Sequence, residues 1–403
     1  MTGFYKVIPQ AKLCFWIDSL YGCNAVKWKK VKKSGRFVAT NNLKNPSRIL
    51  LIFAIIFYFI LMSIHLGIIL RDGTPDPIFG TNIPALQLWI LVYSGISFGA
   101  LSFSRDAEIA AWFNTLMKFE EKHFAENYAE QLALQNFGKL EMAMAYWIKE
   151  FNAMFHGNFQ KIIIFGAIGV PVLNPILLSL HIYRAPCTRP LLVSFLKQCH
   201  NGTKGMFGFD IPSNTILHIV WHILDIWAVG LGFALTPCNG VFTIFVGAMC
   251  LREYQSRCKE SLSHIGTKSV QLCQEQLLLY KTTFLLSAQH NALLTGILAN
   301  LMVPLCSLAI FSLYSCIALH DLMPLPLTLF SVTLVLELTL MVHGGMYTSY
   351  GKLYDESAAL LKFFKNVDEI GKNKVLRRML ISLQSTKIKF GGGRNFMEAS
   401  TSL

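Results

Sequence analysis

His218, His222 and Asp225 stand at i, i+4 and i+7 of one apolar run. In a helix all three therefore share a face. Two imidazoles and a carboxylate at this spacing match a Zn²⁺ donor set. They better match polar groups turned into a helical bundle to bond its neighbours, and a third reading is the polar lining of a ligand cavity open to the outside. Glu337 lies about midway along another apolar run, where a carboxylate must be neutral or paired. His222 and His343 are the partners the sequence offers it. No specific enzyme signature accompanies these groups. There is no phosphate loop ending in Lys-Ser or Lys-Thr and no His-Glu-x-x-His, and Gly391-Gly392-Gly393 lacks a strand–turn–helix setting. His65, His181, His218, His222 and His343 are dispersed over four apolar runs. The chain reads as a non-enzyme that needs no metal or cofactor.

The elements that must carry these residues are apolar and long. The chain is 53% hydrophobic and 15% charged, against about 25% charged in an ordinary soluble domain. Its mean hydropathy is +0.45. Six runs predict membrane-spanning helices: 49–70, 83–103, 162–183, 215–251, 293–319 and 325–350. A helix of about 20 apolar residues crosses the ~30 Å hydrocarbon layer. The expected fold is all-α, a polytopic six-span bundle. A basic cytosolic segment precedes it (1–48), 49–350 forms the transmembrane domain, and a basic cytosolic segment follows (351–403). The run 215–251 reads as one long helix kinked near Pro237 and continuing into the cytosol, because Val241–Leu251 alone is too short to cross. Segments 106–160 and 251–290 read as cytosolic helical extensions.

Charge sets the orientation. The formal net charge is +13, and its distribution favours membrane topology over nucleic-acid binding. With the N-terminus inside, 31 of the 36 Lys and Arg fall on cytosolic segments and five fall outside. No cleavable signal peptide is visible, so the first span serves as the insertion signal. Asn201-Gly202-Thr203, an N-glycosylation acceptor, falls in an outer loop. That loop also holds Cys187 and Cys199, either a disulfide pair or two free thiols. Pro171, Asn174 and Pro175 predict a kink in the third span. The tail from Tyr350 carries Asp355-Glu356-Ser357, then Arg377-Arg378-Met379-Leu380, then Lys387-Ile388-Lys389-Phe390-Gly391. As a basic amphipathic helix it suits anionic lipid.

The order of these features resembles the insect odorant and gustatory receptor superfamily. The long second intracellular segment, the outer loop of some 30 residues before the fourth span, and the long fourth helix match that order. The closest match covers about the last 80 residues: Gly344-Gly345 and Gly351, the acidic-Glu-Ser triplet, the paired basics, and the Lys-Ile-Lys-Phe-Gly turn. The resemblance implies a plasma-membrane chemosensory receptor subunit. It would be tetrameric with itself or related subunits, a ligand-gated cation channel opened by a small-molecule tastant or odorant. By location, it makes His218, His222, Asp225 and Glu337 candidate pocket residues. It also implies a seventh, pore-lining helix directly after the Lys-Ile-Lys-Phe-Gly turn. Residues 391–403 cannot form one, so these 403 residues are expected not to conduct alone. The alternative class is a multi-pass secondary transporter, which paired broken helices in two similar halves would signal. The sequence has no such pairing.

Overall fold

The computed structural model describes residues 26–30, 37–41, 46–72, 82–124, 173–181, 215–234, 242–264, 269–294, 297–339, 348–390 and 395–396. The described residues are dominated by helices. They are α1 (Pro46–Asp72), α2 (Ile83–Ser104), α3 (Asp106–His123), α4 (Thr215–Ala234), α5 (Phe242–His264) and α6 (Val270–Leu294). There follow α7 (Ile297–Ala318), α8 (Leu325–Leu338), α9 (Thr348–Lys365), α10 (Asp368–Lys372) and α11 (Lys374–Ser382). Residues 173–181 are also helical. Two short hairpins join them: β1 (Val26–Lys30) with β2 (Phe37–Asn41), and β3 (Lys389–Phe390) with β4 (Asn395–Phe396). An all-helical reading did not anticipate these strands.

The helices sort into two regions. In the first, the bundle, α2 packs against α1, α4 and α7, and α7 also packs against α8. In the second, the base, α5 packs against α6 and α9, while α6 also meets α3, α10 and α11. Local chemistry explains several boundaries. Pro46 opens α1, where its missing N–H is no loss. Asn373 caps α11 by accepting from the N–H groups of Val375 and Leu376 at 2.9 and 3.3 Å. The α7–α8 turn closes with Leu322 and Met323 N–H donating to the Leu319 carbonyl.

Arg105 joins the two regions. It breaks the chain between α2 and α3 with φ −119° and ψ 15°. Its Nη1 donates to the carbonyls of Ala292 and Leu293, at 2.8 and 2.9 Å, in the last turn of α6. A guanidinium there satisfies carbonyls that have no helical partner and meets the negative end of the helix dipole. The first hairpin is tied down by Asn114 of α3. Its side chain accepts from Ala39 N–H and donates to Ala39 C=O, both at 2.9 Å.

The run 215–251 is described as two helices, α4 ending at Ala234 and α5 starting at Phe242. Pro237, Asn239 and Gly240 lie outside the described residues, as does most of the 162–183 run. Among the described residues, no helix is long and apolar enough to cross a membrane.

Candidate functional site

The bundle carries its polar groups inward. His65, Gln87, Ser94, Asn174, His181, Asp225, Ser312, Ser315, Ser331 and Glu337 are all buried. Its outer faces are apolar. Among the described residues, 25 of the 30 exposed large hydrophobic side chains belong to the bundle helices, the helical stretch 173–181 and the α7–α8 turn. On α4 they recur as Ile216, Ile219, Val220, Ile223 and Leu224, a single helical stripe, and Asp225 lies on the buried side.

The two candidate acids meet different surroundings. Asp225 is fully buried and accepts a hydrogen bond from the Tyr58 hydroxyl of α1 at 2.8 Å. Its partner is 167 residues away in sequence. His222, one turn before Asp225, is half-buried. The side chain of His218 lies outside the described residues, so the geometry of the three-residue face is not completed. Glu337 sits in the last turn of α8 at 8% exposure, and its Oε2 has no hydrogen-bond partner. His343, the other partner suggested for it, lies outside the described residues, as do Cys187, Cys199 and Asn201. Among the described residues, no group of three or more His, Cys, Asp or Glu could hold a metal ion.

Other polar contacts bridge the bundle helices. Thr333 Oγ1 lies 2.7 Å from Asn174 Oδ1 and 2.8 Å from its own helix's Phe330 carbonyl, while Asn174 Nδ2 has no partner. Gln87 Nε2 donates to Ser312 Oγ at 3.1 Å, leaving Gln87 Oε1 unpaired. Ser315 and Ser331 hydroxyls are also unpaired. Trp89 Nε1–H donates to Ser63 at 2.9 Å, and the Trp89 ring stacks on Tyr93 with centroids 5.6 Å apart. The sequence offered Asn174 only as a kink residue. Gln87, the one side-chain amide in the apolar run 83–103, was the available signal for the Gln87–Ser312 bridge. Tyr58 and Thr333 carried no local signal.

The base is built the other way. It also buries polar groups, among them Glu120, Gln255, Ser357 and Thr386, but those it pairs across helices, and few of its large apolar side chains are exposed. Tyr254 donates to Glu120 Oε1 at 2.7 Å. Burial first, then nearby Cys250 and Glu120, hold its hydroxyl well above the usual tyrosine range. Arg252 grips Glu356 with two bonds, 2.6 and 3.2 Å. Residues 383–388 form an extended strap held from three helices. Gln255 of α5 donates to Thr386 Oγ1 at 2.9 Å. Tyr280 of α6 lies 2.6 Å from Ser357 Oγ and donates to the Gln384 carbonyl at 2.9 Å. Ser357 of α9 accepts from Thr386 N–H at 2.6 Å. Asn291 then grips the Lys387 carbonyl and the Lys389 N–H, at 2.7 and 2.8 Å. The buried Cys258 thiol is pushed up to about 12 by burial, which removes it as a nucleophile.

Near the junction of the regions, His290 is fully buried with both ring nitrogens unpaired. Its ring centroid is 5.1 Å from that of Trp112. A Cβ on Gly247 would collide with the His290 ring, so any larger residue there must displace the ring or a helix. Burial holds the imidazole down to about 3.

Comparison with known proteins finds no matching protein-family model and no matching curated protein.

Proposed function

We propose that this chain is a subunit of a multi-pass plasma-membrane chemoreceptor, of the ligand-gated cation channel type, that detects a small-molecule tastant or odorant. The observation that carries the membrane half of this reading is the inverted polarity of the bundle. Side chains such as Ile216 and Val303 are 70% exposed, while a carboxylate and several hydroxyls are fully buried beside them. In water this arrangement would be unfavourable, because exposed apolar area and buried polar groups both cost free energy. In lipid both choices are favourable. The receptor half rests on the order of features in the sequence and on the polar interior, where His222, Asp225 and Glu337 stand as pocket candidates. The base supports an assembly of related subunits. Leu278 and Leu285 of α6 are 45% and 55% exposed and seven residues apart, the spacing of a helix–helix seam.

The test is expression of the chain with related subunits in a cell that has no chemoreceptors. A small-molecule panel is applied while whole-cell current is recorded. A ligand-evoked cation current that needs this chain supports the reading. Solute uptake without current would replace it with the transporter.

A further inference from the structure

We propose that the exposed face of α11 is a docking surface for an acidic cytosolic protein with an apolar groove, the chemistry of a calcium-loaded EF-hand domain. This rests on the membrane reading for the position of the bilayer. The base covers most of its large apolar side chains, yet Ile381 is 74% exposed, more than any described hydrophobic side chain of the bundle. Lys374, Arg377 and Arg378 stand at i−7, i−4 and i−3 from it, so they border it on one face of the helix. All three are exposed. None has an acid partner among the described residues, whereas Arg252 and Arg257 of the same base are both paired. Val375, 64% exposed, adds an apolar edge beside Arg378. Leu376 and Leu380, on the opposite face, are buried in the core and hold α11 in place.

An apolar spot ringed by cations suits an anionic membrane, a second copy or an acidic protein, and the structure favours the last. The strap that leaves α11 is bonded to Tyr280 of α6 through the Gln384 carbonyl. From Tyr280 to Leu293, at the end of α6 that Arg105 grips, is about 20 Å at about 1.5 Å per residue. On the membrane reading, lipid begins near that end, where α6 gives way to α7. α10, before α11 in the chain, sits deeper still, with Glu369 near Cys273 of α6. The α11 face is therefore held away from the headgroups. A second copy meeting this face across a two-fold axis would set the same three cations against themselves, in a chain of net charge +13. An acidic protein with an apolar groove satisfies both halves of the face. Its carboxylates meet the cations, and its groove takes Ile381 and Val375. Calcium-loaded EF-hand domains open such a groove, and basic amphipathic helices fill it.

The experiment uses the full chain in lipid nanodiscs, with fluorescent calmodulin as the probe and binding read by anisotropy. Saturable binding is expected in calcium and should be lost in a calcium chelator. Ile381→Ser should weaken it at least ~10-fold. Arg377→Glu with Arg378→Glu should weaken it at least ~30-fold. Lys259→Glu, the same charge change on the exposed side of α5, should leave it unchanged. No binding, equal binding with and without calcium, or binding indifferent to Ile381→Ser overturns the proposal. So does a change in the particle mass of the chain alone on Ile381→Ser, which would assign the face to a second copy. Carbene label on Ile381 in nanodiscs rich in anionic lipid would assign it to the membrane and overturn the proposal equally. Should the double arginine variant fail to fold, Ile381→Ser decides alone. Calmodulin binding through Ile381 without any ligand-evoked current keeps this surface and removes the receptor reading. Evoked current without such binding does the reverse.

Discussion

The bundle and the base obey opposite rules with the same twenty amino acids. In the base, the largest fully buried side chains include Tyr254, Tyr280 and Phe364, and the strap is threaded through hydroxyls that each find a partner. In the bundle, Phe53, Ile216 and Ile317 face outward, while Glu337, Asn174 and Ser331 are buried with atoms unpaired. The difference teaches that burial has meaning only relative to the surrounding solvent. Water outside the base drives apolar groups in. On the proposed membrane reading, lipid outside the bundle would leave polar groups nowhere else to go but inward.

The strongest way to break this comparison is to place one charge on each outer face. Ile60→Lys, on the exposed face of α1, should cost about 3 kcal/mol in membrane insertion. Ile381→Lys, on the exposed face of α11, should change stability by under about 0.5 kcal/mol. Insertion efficiency and detergent melting measure both. Equal effects would erase the distinction between the regions.

Gly247→Ala tests the join itself. The added carbon would collide with the His290 ring, so one helix or the ring must shift, at about 2 kcal/mol or more. Thermal unfolding in detergent should show the loss, and a Gly247→Ala/His290→Ala double variant should recover part of it.

His290 also makes the base sensitive to acid. Its folded value, about 3, lies below the ordinary 6.5, so below pH 6.5 the unfolded chain binds a proton that the folded chain refuses. Its contribution is intact above pH 6.5 and is lost as the pH falls toward 3, by about 1.4 kcal/mol per unit within that window. Melting at pH 7 and pH 5 should differ, and His290→Phe should flatten the difference. A flat profile in the unaltered chain would contradict the burial.

A smaller loss than at Gly247 is expected at Arg105. Arg105→Met removes two bonds to the end of α6 and should lower stability by about 1 kcal/mol. Hydrogen exchange should localise the change to residues 290–294.

Much of the bundle was legible because apolar runs report helices locally. The run 83–103 and α2 start at the same residue, Ile83, and 325–350 begins with α8 at Leu325. Of the runs 106–160 and 251–290, the described parts are helical, as α3 and as parts of α5 and α6. Other features left no local trace. The strap is held by partners 29 to 131 residues away, and sequence periodicity does not carry contacts of that kind. The first hairpin was read as a basic lead-in, since three lysines in VKWKK obscure the alternation of Val26 and Trp28. At the site, Asp225 and Glu337 stood out as acids in apolar runs. That one is engaged and the other is not depends on Tyr58, which looks like any aromatic in a span.

The most direct measurement is photolabelling of the full chain in native membranes with an apolar carbene reagent dissolved in the lipid, followed by peptide mapping. The account predicts labels on the outer faces of α1, α4 and α7, at positions such as Phe57, Ile219 and Ile310. It predicts none on Val375 or Ile381, which are equally exposed but belong to the base. Label shared evenly between the two regions, or absent from the bundle, would contradict it.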